Sequence, residues 1–481
     1  MPAVAALGLN PLAVRLPAAV AGALSVPALY EVARLLLRGP RRALLAAALL
    51  TVSPWHLQFT RAAREVSLLL LALLLLVGAL LAALHAGRER GRGGPYLAGA
   101  AVAFLAAIYS YTAGVILAPL LTLAVVLAYR SRLARLSRPW LAVAGAVLVL
   151  GAAPLAAQFA DGRAGARFAM ASLFAEKELQ TTAAERVARD ERDGLPAVLS
   201  GPAVLGLWRA AGGYVTHFEP SFLFVHGDGE WRHHSSTGGL LLLWDIPLLV
   251  CGVAVALRRW RRPAVQVIAA WLAIGPLPAA FGTPAPHAVR SIALLPALYL
   301  IAALGLGPVW RWVTRRRLTR DWAVALALCV AVYLYGYYRY YGQEHDGAWS
   351  SGWLETFRAA QREVDAGRYA RVVIPDDLPT PRVAYIYALF GTAYSPERYL
   401  AQGGTRSSLL WRWYPEPGPM TFEPFELRAV DWSREPRDGD TLYVYPPDRR
   451  LPDGTASVVT VKRTSGSGQD ALRLIAYVDP A

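Results

Sequence analysis

Apolar residues dominate the chain up to about residue 341 and thin out afterwards. In the first part they gather into runs, and a bilayer core asks for about 20 mostly apolar residues per helix. Ten stretches fit that pattern, at roughly 12–36, 42–58, 65–84, 95–110, 113–129, 139–160, 239–257, 263–281, 288–310 and 322–341. The fourth and fifth are joined by a very tight link. Past residue 341 the pattern changes to that of a small α/β domain. WLETFRAAQREVDAG reads as a helix ended by Gly, and PRVAYIYALFGTAY as a helix with Pro at its start. RVVIPD reads as a short buried strand, while TLYVYPP, SVVTVKR and LRLIAYV alternate as strands do. The expected architecture is therefore an α-helical polytopic membrane bundle over residues 1–341 and a small soluble α/β domain over 342–481. A long loop, 161–238, interrupts the bundle. Its first part, ARFAMASLFAEKELQTTAAERVARDERDG, has apolar residues at helical spacing. Such a helix either lies along a membrane surface or caps the bundle.

Charge sharpens the picture. The protein is 55% hydrophobic and only 17% charged, with a mean hydropathy of +0.34, which rules out disorder and a wholly soluble enzyme. Residues 1–341 carry a net +18 and residues 342–481 a net −3. A pI near 10 raises nucleic acid as a partner. The surplus sits between apolar runs, however, and so is a topology signal rather than a nucleic-acid patch. The short segments Arg38–Arg42, Gly87–Gly94, Arg130–Arg138, Arg258–Arg262 and Arg311–Arg320 hold 19 Arg, against three in 54–64, 110–112 and 282–290. The positive-inside rule puts the first set in the cytoplasm. The N-terminus, the long loop and the C-terminal domain then face outward. The two cysteines, Cys251 and Cys329, lie in apolar runs, so no CxxC or zinc pattern exists and the C-terminal domain has no disulfide.

On this topology seven of the eight histidines are outward: His56, His217, His226, His233, His234, His287 and His345. The same ends carry Arg15, Arg61, Arg64, Glu65, Asp228, Glu230, Arg232 and Arg290. Polar groups at membrane depth are costly unless paired or wet, so a polar cavity opening outward explains the clustering better than wet loops alone. Three segments concentrate these groups: SPWHLQFTRAARE (Ser53–Glu65), FVHGDGEWRHHSSTGG (Phe224–Gly239) and GTPAPHAVRSIALLPALYLIAALGL (Gly282–Leu306). In the last, His287 and Arg290 are three apart and share a helix face. Spacing alone does not support a metal site, since no HxH or HExxH is present. A divalent metal stays open, and no cofactor is expected.

The run NPLAVRLPAAVAGALSVPALYEVARLL, followed by ALLAAALLTVSPWHLQFTRAARE, resembles the core of bacterial family 39-type glycosyltransferases. These are membrane enzymes of the GT-C class, similar to protein O-mannosyltransferases and aminoarabinose transferases. HGDGEWRHHSS and APHAVRSIALLPALYLIAALGL resemble the later loops of the same group, and the likeness covers about residues 8–345. It implies a GT-C-like fold and transfer of a sugar from a polyprenyl-phosphate donor to a glycan, lipid or protein acceptor at the outer face. The implied mechanism is inverting, with a carboxylate taking the acceptor's proton. Glu65 resembles the family's second acidic position and is the candidate catalytic residue; its other reading is an acid favoured at a helix N-terminus. Arg15, His56, Arg61, Arg64, His226, Asp228, Arg232, His233, His287 and Arg290 are the candidate substrate contacts. Arginine suits a lipid phosphate because its charge is permanent and its contacts are bidentate. Snorkelling anchors, ion pairs and loop-fixing hydrogen bonds are the alternatives for these residues.

The resemblance also sets an expectation about the start. Relatives begin with one more span and a first outer loop bearing the acid that resembles the catalytic base, whereas residues 1–30 hold no Asp or Glu. A start placed one helix too late accounts for this, as does a degenerate copy. Two other function classes compete: a transporter or flippase of lipid-linked sugars, and a non-catalytic membrane scaffold. The first lacks an internal repeat and offers only Asp245 as an acid well inside a span. One-sided polar clustering argues against the second.

Overall fold

A computed structural model describes residues 2–86, 93–162, 172–194, 196–235, 237–378, 381–402, 420–464 and 467–478. The arginine-rich stretch 87–92 and the start of the amphipathic segment lie outside the described residues. The chain divides into two compact units, Met1–Tyr337 and Tyr338–Ala481.

Helices occupy all ten apolar stretches of the first unit. Among the described residues six are long and apolar enough to cross a bilayer, or seven if one bent pair counts as a single span. The ten expected stretches are thus all helical but unequal in length, and 42–58 and 263–281 are each broken into two helices. Gly94–Ser110, Gly114–Ala128 and Asp245–Arg258 have 17, 15 and 14 residues, short for a core about 30 Å thick.

The bent pair has a local cause. Pro54 cannot donate an amide hydrogen to the preceding turn, so the Pro40–Thr51 helix stops before it. Ser53 then caps a new helix, Pro54–Arg61, by accepting the His56 amide at 3.3 Å. The two axes differ by 54°. After the bend the Trp55 amide donates to the Leu240 carbonyl at 3.1 Å, which ties the first polar segment to the start of a distant stretch.

The Leu294–Arg315 helix forms the centre of the unit, and every residue from Leu294 to Leu304 is buried. It packs backbone to backbone on Asp245–Arg258. A Cβ on Gly252 would come within 2.0 Å of the Ile301 carbonyl oxygen, and one on Gly305 within 2.0 Å of the Leu248 carbonyl oxygen. Small residues at such a crossing let dispersion contacts replace the hydrophobic drive that lipid surroundings remove.

Within the long loop, Lys177–Arg192 is helical. Its apolar residues Leu179 and Ala183 are buried against Leu173, Leu205 and Ala210, so the described part caps the neighbouring helix Pro202–Thr216. That second helix exposes an apolar stripe of its own, at Leu207, Trp208 and Val215.

The second unit is a six-stranded sheet in the order β2-β3-β1-β4-β6-β5. The strands are β1 Arg371–Pro375, β2 Met420–Phe422, β3 Phe425–Arg428, β4 Thr441–Tyr445, β5 Thr455–Lys462 and β6 Asp470–Tyr477. β1 runs parallel to both β3 and β4, and the remaining pairings are antiparallel. The Trp353–Asp365 helix covers one face with Trp353 and Phe357, packed with Val372, Ile374 and Leu442. That helix, the Pro381–Gly391 helix and four of the strands are those the sequence pattern predicts. The short helix Pro396–Ala401 was not expected. Nor were β2 and β3, which are three and four residues long and separated by Glu423–Pro424.

Candidate functional site

Three stretches far apart in sequence meet at one end of the helical unit. Trp55 on the Pro54–Arg61 helix donates its indole N–H to the Ala288 carbonyl at 3.1 Å. Gln58, one turn on, donates to the Arg232 carbonyl at 2.7 Å. Phe59 sets its ring edge-on to His233, centroids 5.6 Å apart. One short amphipathic helix therefore ties the Phe224–Gly239 loop to the Gly282–Leu306 segment. Its own inner face is buried: Trp55 and Phe59 are 0% and 1% exposed.

At the junction lies Asp228. Its Oδ2 accepts the Ala288 amide at 2.8 Å and a hydrogen bond from His233 Nδ1 at 2.7 Å. Its Oδ1 accepts the Glu230 amide at 3.2 Å, while its backbone carbonyl accepts from His234 Nε2 at 2.8 Å. Gly227 makes the turn possible: its φ is +68°, and a Cβ added there would lie only 2.6 Å from the His234 ring. Burial alone would raise the Asp228 carboxyl, but the His233 hydrogen bond and charge, the Ala288 amide and His287 together hold it below its ordinary value.

His287 completes the group. Its ring centroid is 5.1 Å from that of His233. Its amide donates to His217 Nε2 at 3.2 Å, and His217 Nδ1 in turn donates to the Gly213 carbonyl at 2.7 Å. The carbonyl fixes the His217 tautomer, which leaves Nε2 as the acceptor. Burial, then Arg290 and His233, push His287 down to about 3, so its imidazole is neutral at physiological pH. Burial likewise lowers His217.

Beside this cluster is a cationic one. Arg290 gives its amide to His287 Nδ1 at 3.4 Å and its guanidinium to the Thr283 carbonyl at 2.9 Å. The guanidinium also hydrogen-bonds Tyr111, and Glu65 and Arg64 act on the same phenol electrostatically. Burial is the main reason the Tyr111 phenol is raised, with Arg290 opposing it. Tyr111 closes the turn between Gly94–Ser110 and Gly114–Ala128, and Arg290, Glu65 and Arg64 all act on its phenol. Glu65 is exposed and Arg64 half-buried. Chemically, this is an accessible carboxylate beside two permanent cations, with a buried acid–imidazole cluster next to them.

The remaining expected residues stand elsewhere. Arg15 and His226 are exposed; the His226 amide donates to the Ser221 carbonyl. His56 is buried, and its amide donates to the Ser53 hydroxyl. Arg61 lies 5.0 Å over the Tyr337 ring. Arg232 forms a bidentate pair with Glu230, at 2.9 and 2.8 Å, and reaches the cluster through its carbonyl. Three residues of the outward histidine set, His217, His234 and His345, were not among the expected contacts, and the first two stand at this site; Tyr111 was not expected either. His234 lies in one of the three polar segments and Tyr111 in a link expected to face outward, whereas His217 ends the Pro202–Thr216 helix of the long loop.

Three groups can hold a cation together. One ligand atom each from Asp228, His233 and His287 lies within 4.8 Å of the others.

Residues 3–156 match the dolichyl-phosphate-mannose-protein mannosyltransferase family. That stretch is about a third of the 481 residues and includes Glu65 and Tyr111. It carries the same likeness to GT-C glycosyltransferases that the sequence motifs do. No curated protein matches the chain significantly. Among solved structures, the chain is similar to the Archaeoglobus fulgidus oligosaccharyltransferase. In complex with Zn and sulfate, that protein gives 17% identity and a TM-score of 0.43 over 79% of this chain and 50% of its own. Tethered to an acceptor peptide, it gives 17% identity and 0.41 over 79% and 48%. As AglB with an inhibitory peptide and a dolichol-phosphate, it gives 16% and 0.40 over 79% and 53%. The chain spans about half the length of these solved proteins.

Proposed function

We propose that this chain is a multi-pass membrane glycosyltransferase that moves a sugar from a polyprenyl-phosphate donor to an acceptor hydroxyl at the outer face of the membrane. The observation that carries the proposal is the approach of Arg64, Glu65 and Arg290 around Tyr111, beside the Asp228 cluster. In an inverting transfer the acceptor oxygen attacks the anomeric carbon, the carbon–oxygen bond to the phosphate breaks, and polyprenyl phosphate leaves. Glu65 takes the hydroxyl proton. It suits that task better than Asp228, whose two oxygens already accept three hydrogen bonds. Arg64 and Arg290 face the charge that builds on the leaving phosphate, where permanent cations are strongest. The arginine-poor ends of the helices carry the site, so the same proposal places the C-terminal unit outside the cytoplasm and the chain in the inner or plasma membrane.

The test uses the full chain in liposomes with a polyprenyl-phosphate-linked radioactive sugar and a crude envelope acceptor. Glu65→Gln should lower transfer by roughly 10²–10⁴-fold, the usual contribution of a general base, with an unchanged circular dichroism spectrum. A wild-type rate in that variant removes Glu65 from the role. Alkaline phosphatase fused after residue 345 should be active in cells; an inactive fusion overturns the outward site.

A further inference from the structure

We infer that Asp228, His233 and His287 form a first-row divalent metal site whose open coordination positions face the donor phosphate; this last part rests on the function proposed above. Sequence spacing gives no hint of it, because the third ligand comes from a loop 54 residues beyond His233.

Geometry comes first. The three ligand atoms lie within 4.8 Å of one another. Donors on a tetrahedral zinc, at about 2.0–2.2 Å from the ion, are roughly 3.3 Å apart. The His233–Asp228 pair, at 2.7 Å, needs to open slightly, and His287 needs to close by up to about 1.5 Å. A cation then sits where the shared hydrogen now is, His233 carries its proton on the other ring nitrogen, and His287 gives up the Arg290 amide whichever ring nitrogen binds the ion. The surroundings support such ligands. The Ala288 amide orients Asp228 Oδ2, the Glu230 amide orients Oδ1, and the His217 ring holds the backbone of His287. Partners of this kind fix ligand orientation at metal centres. Side-chain burial at Asp228 and His233 is nearly complete, at 4% and 5% exposure.

Charge and ligand type narrow the occupant. One carboxylate and two imidazoles suit zinc, iron, cobalt or manganese better than magnesium or calcium, which prefer all-oxygen sets. Three protein ligands leave at least one position open, as at catalytic metal centres. A divalent ion with one carboxylate keeps a net positive charge, which draws an anion. The Arg290 backbone amide donates to the His287 ring and the Arg290 guanidinium to the Thr283 carbonyl, so a permanent cation stands in the same turn as the third ligand.

The experiment reads metal directly. The full chain, purified in detergent and stripped with a chelator, is dialysed against Zn²⁺ or Co²⁺ and its metal measured by mass spectrometry. One ion per chain is expected. His287→Gln, His233→Gln and Asp228→Asn should each weaken affinity at least 10-fold, while His85→Gln, a histidine outside the cluster, should not. Co²⁺ absorption bands should shift when inorganic phosphate is added. If the wild type takes up no metal, or the three variants keep full occupancy, the site is a hydrogen-bonded acid–imidazole network and the inference fails. Bands indifferent to phosphate overturn the open position. A chain that transfers sugar without binding metal defeats this inference alone. A chain that binds metal and transfers nothing defeats the enzymatic proposal alone.

Discussion

Two buried acids, one in each unit, are held in different ways. In the C-terminal unit Glu435 receives both guanidinium branches of Arg428, at 2.6 and 2.7 Å, and the Tyr443 hydroxyl at 2.8 Å. In the helical unit Asp228 receives an imidazole and two backbone amides. Glu435 is neutralised by a cation that cannot lose its charge. Asp228 is solvated by polar groups that bring no permanent charge of their own. The first arrangement is complete and serves the fold: it pins the 429–440 connection to β3 and β4. The second leaves a negative charge beside two imidazoles, which is the environment a metal ion or a reacting cationic centre uses. Burial and hydrogen-bond count are similar in the two, so neither identifies a working site. The identity of the partner does.

The comparison is broken most severely if Asp228 proves dispensable. Asp228→Asn should abolish metal uptake and lower sugar transfer by about 10³-fold, because a metal's charge stabilisation is worth several kcal/mol. Parallel metal analysis and transfer assays on the same preparation check it. Glu435→Ala should instead destabilise the second unit by about 2 kcal/mol, because the half-buried Arg428 keeps only Glu426 and the Ala429 carbonyl and the Tyr443 hydroxyl loses its acceptor. Hydrogen exchange in the full chain should show β3 and β4 losing protection while metal content stays at the wild-type level. A smaller effect is expected at His217, which touches neither proposed substrate nor metal. His217→Phe should lower metal affinity roughly 10-fold, as loss of an outer partner does, and His217→Gln should restore part of it.

Acid pH sharpens the contrast without mutation. The Arg428 hydrogen bond, and then Tyr443 and the Arg428 charge, hold Glu435 below its ordinary 4.5. A depressed carboxyl contributes its full stabilisation above the unfolded value and loses it as pH falls through the folded one. Exchange protection of β3 and β4 should therefore be flat above about pH 4.5 and decline below it. In Glu435→Gln that dependence should be weaker.

Much of the fold is visible in the residues. Runs of Leu, Ala and Val mark the helices, and the arginine loops mark alternate ends. Period-two alternation marks β4, β5 and β6. What escaped notice was short or interrupted. β2 and β3 offer three and four residues to a pattern that needs more. The Val52–Ser53 break was hidden because both halves are apolar enough to read as one span. For the site, the three polar segments were recognised, and so were His287 and Arg290 as neighbours. Their partners were not. Tyr111 sits in a turn that any aromatic could occupy, and His217 ends a helix, Pro202–Thr216, that the pattern of the long loop did not predict.

By itself, then, the sequence determined composition-level and local matters: where helices form, where proline ends them, and which ends are polar. These follow from burial periodicity, backbone chemistry and charge, all of which act between near neighbours in the chain. Only the tertiary structure decided that Trp55 reaches Ala288, that Gln58 reaches the Arg232 carbonyl, and that Asp228 lies between His233 and His287. The first two contacts follow a 54° bend, and the third follows a left-handed turn at Gly227 packed on the His234 ring. A bend's direction and a helix's rotation are set by packing against distant residues, and no local pattern encodes them.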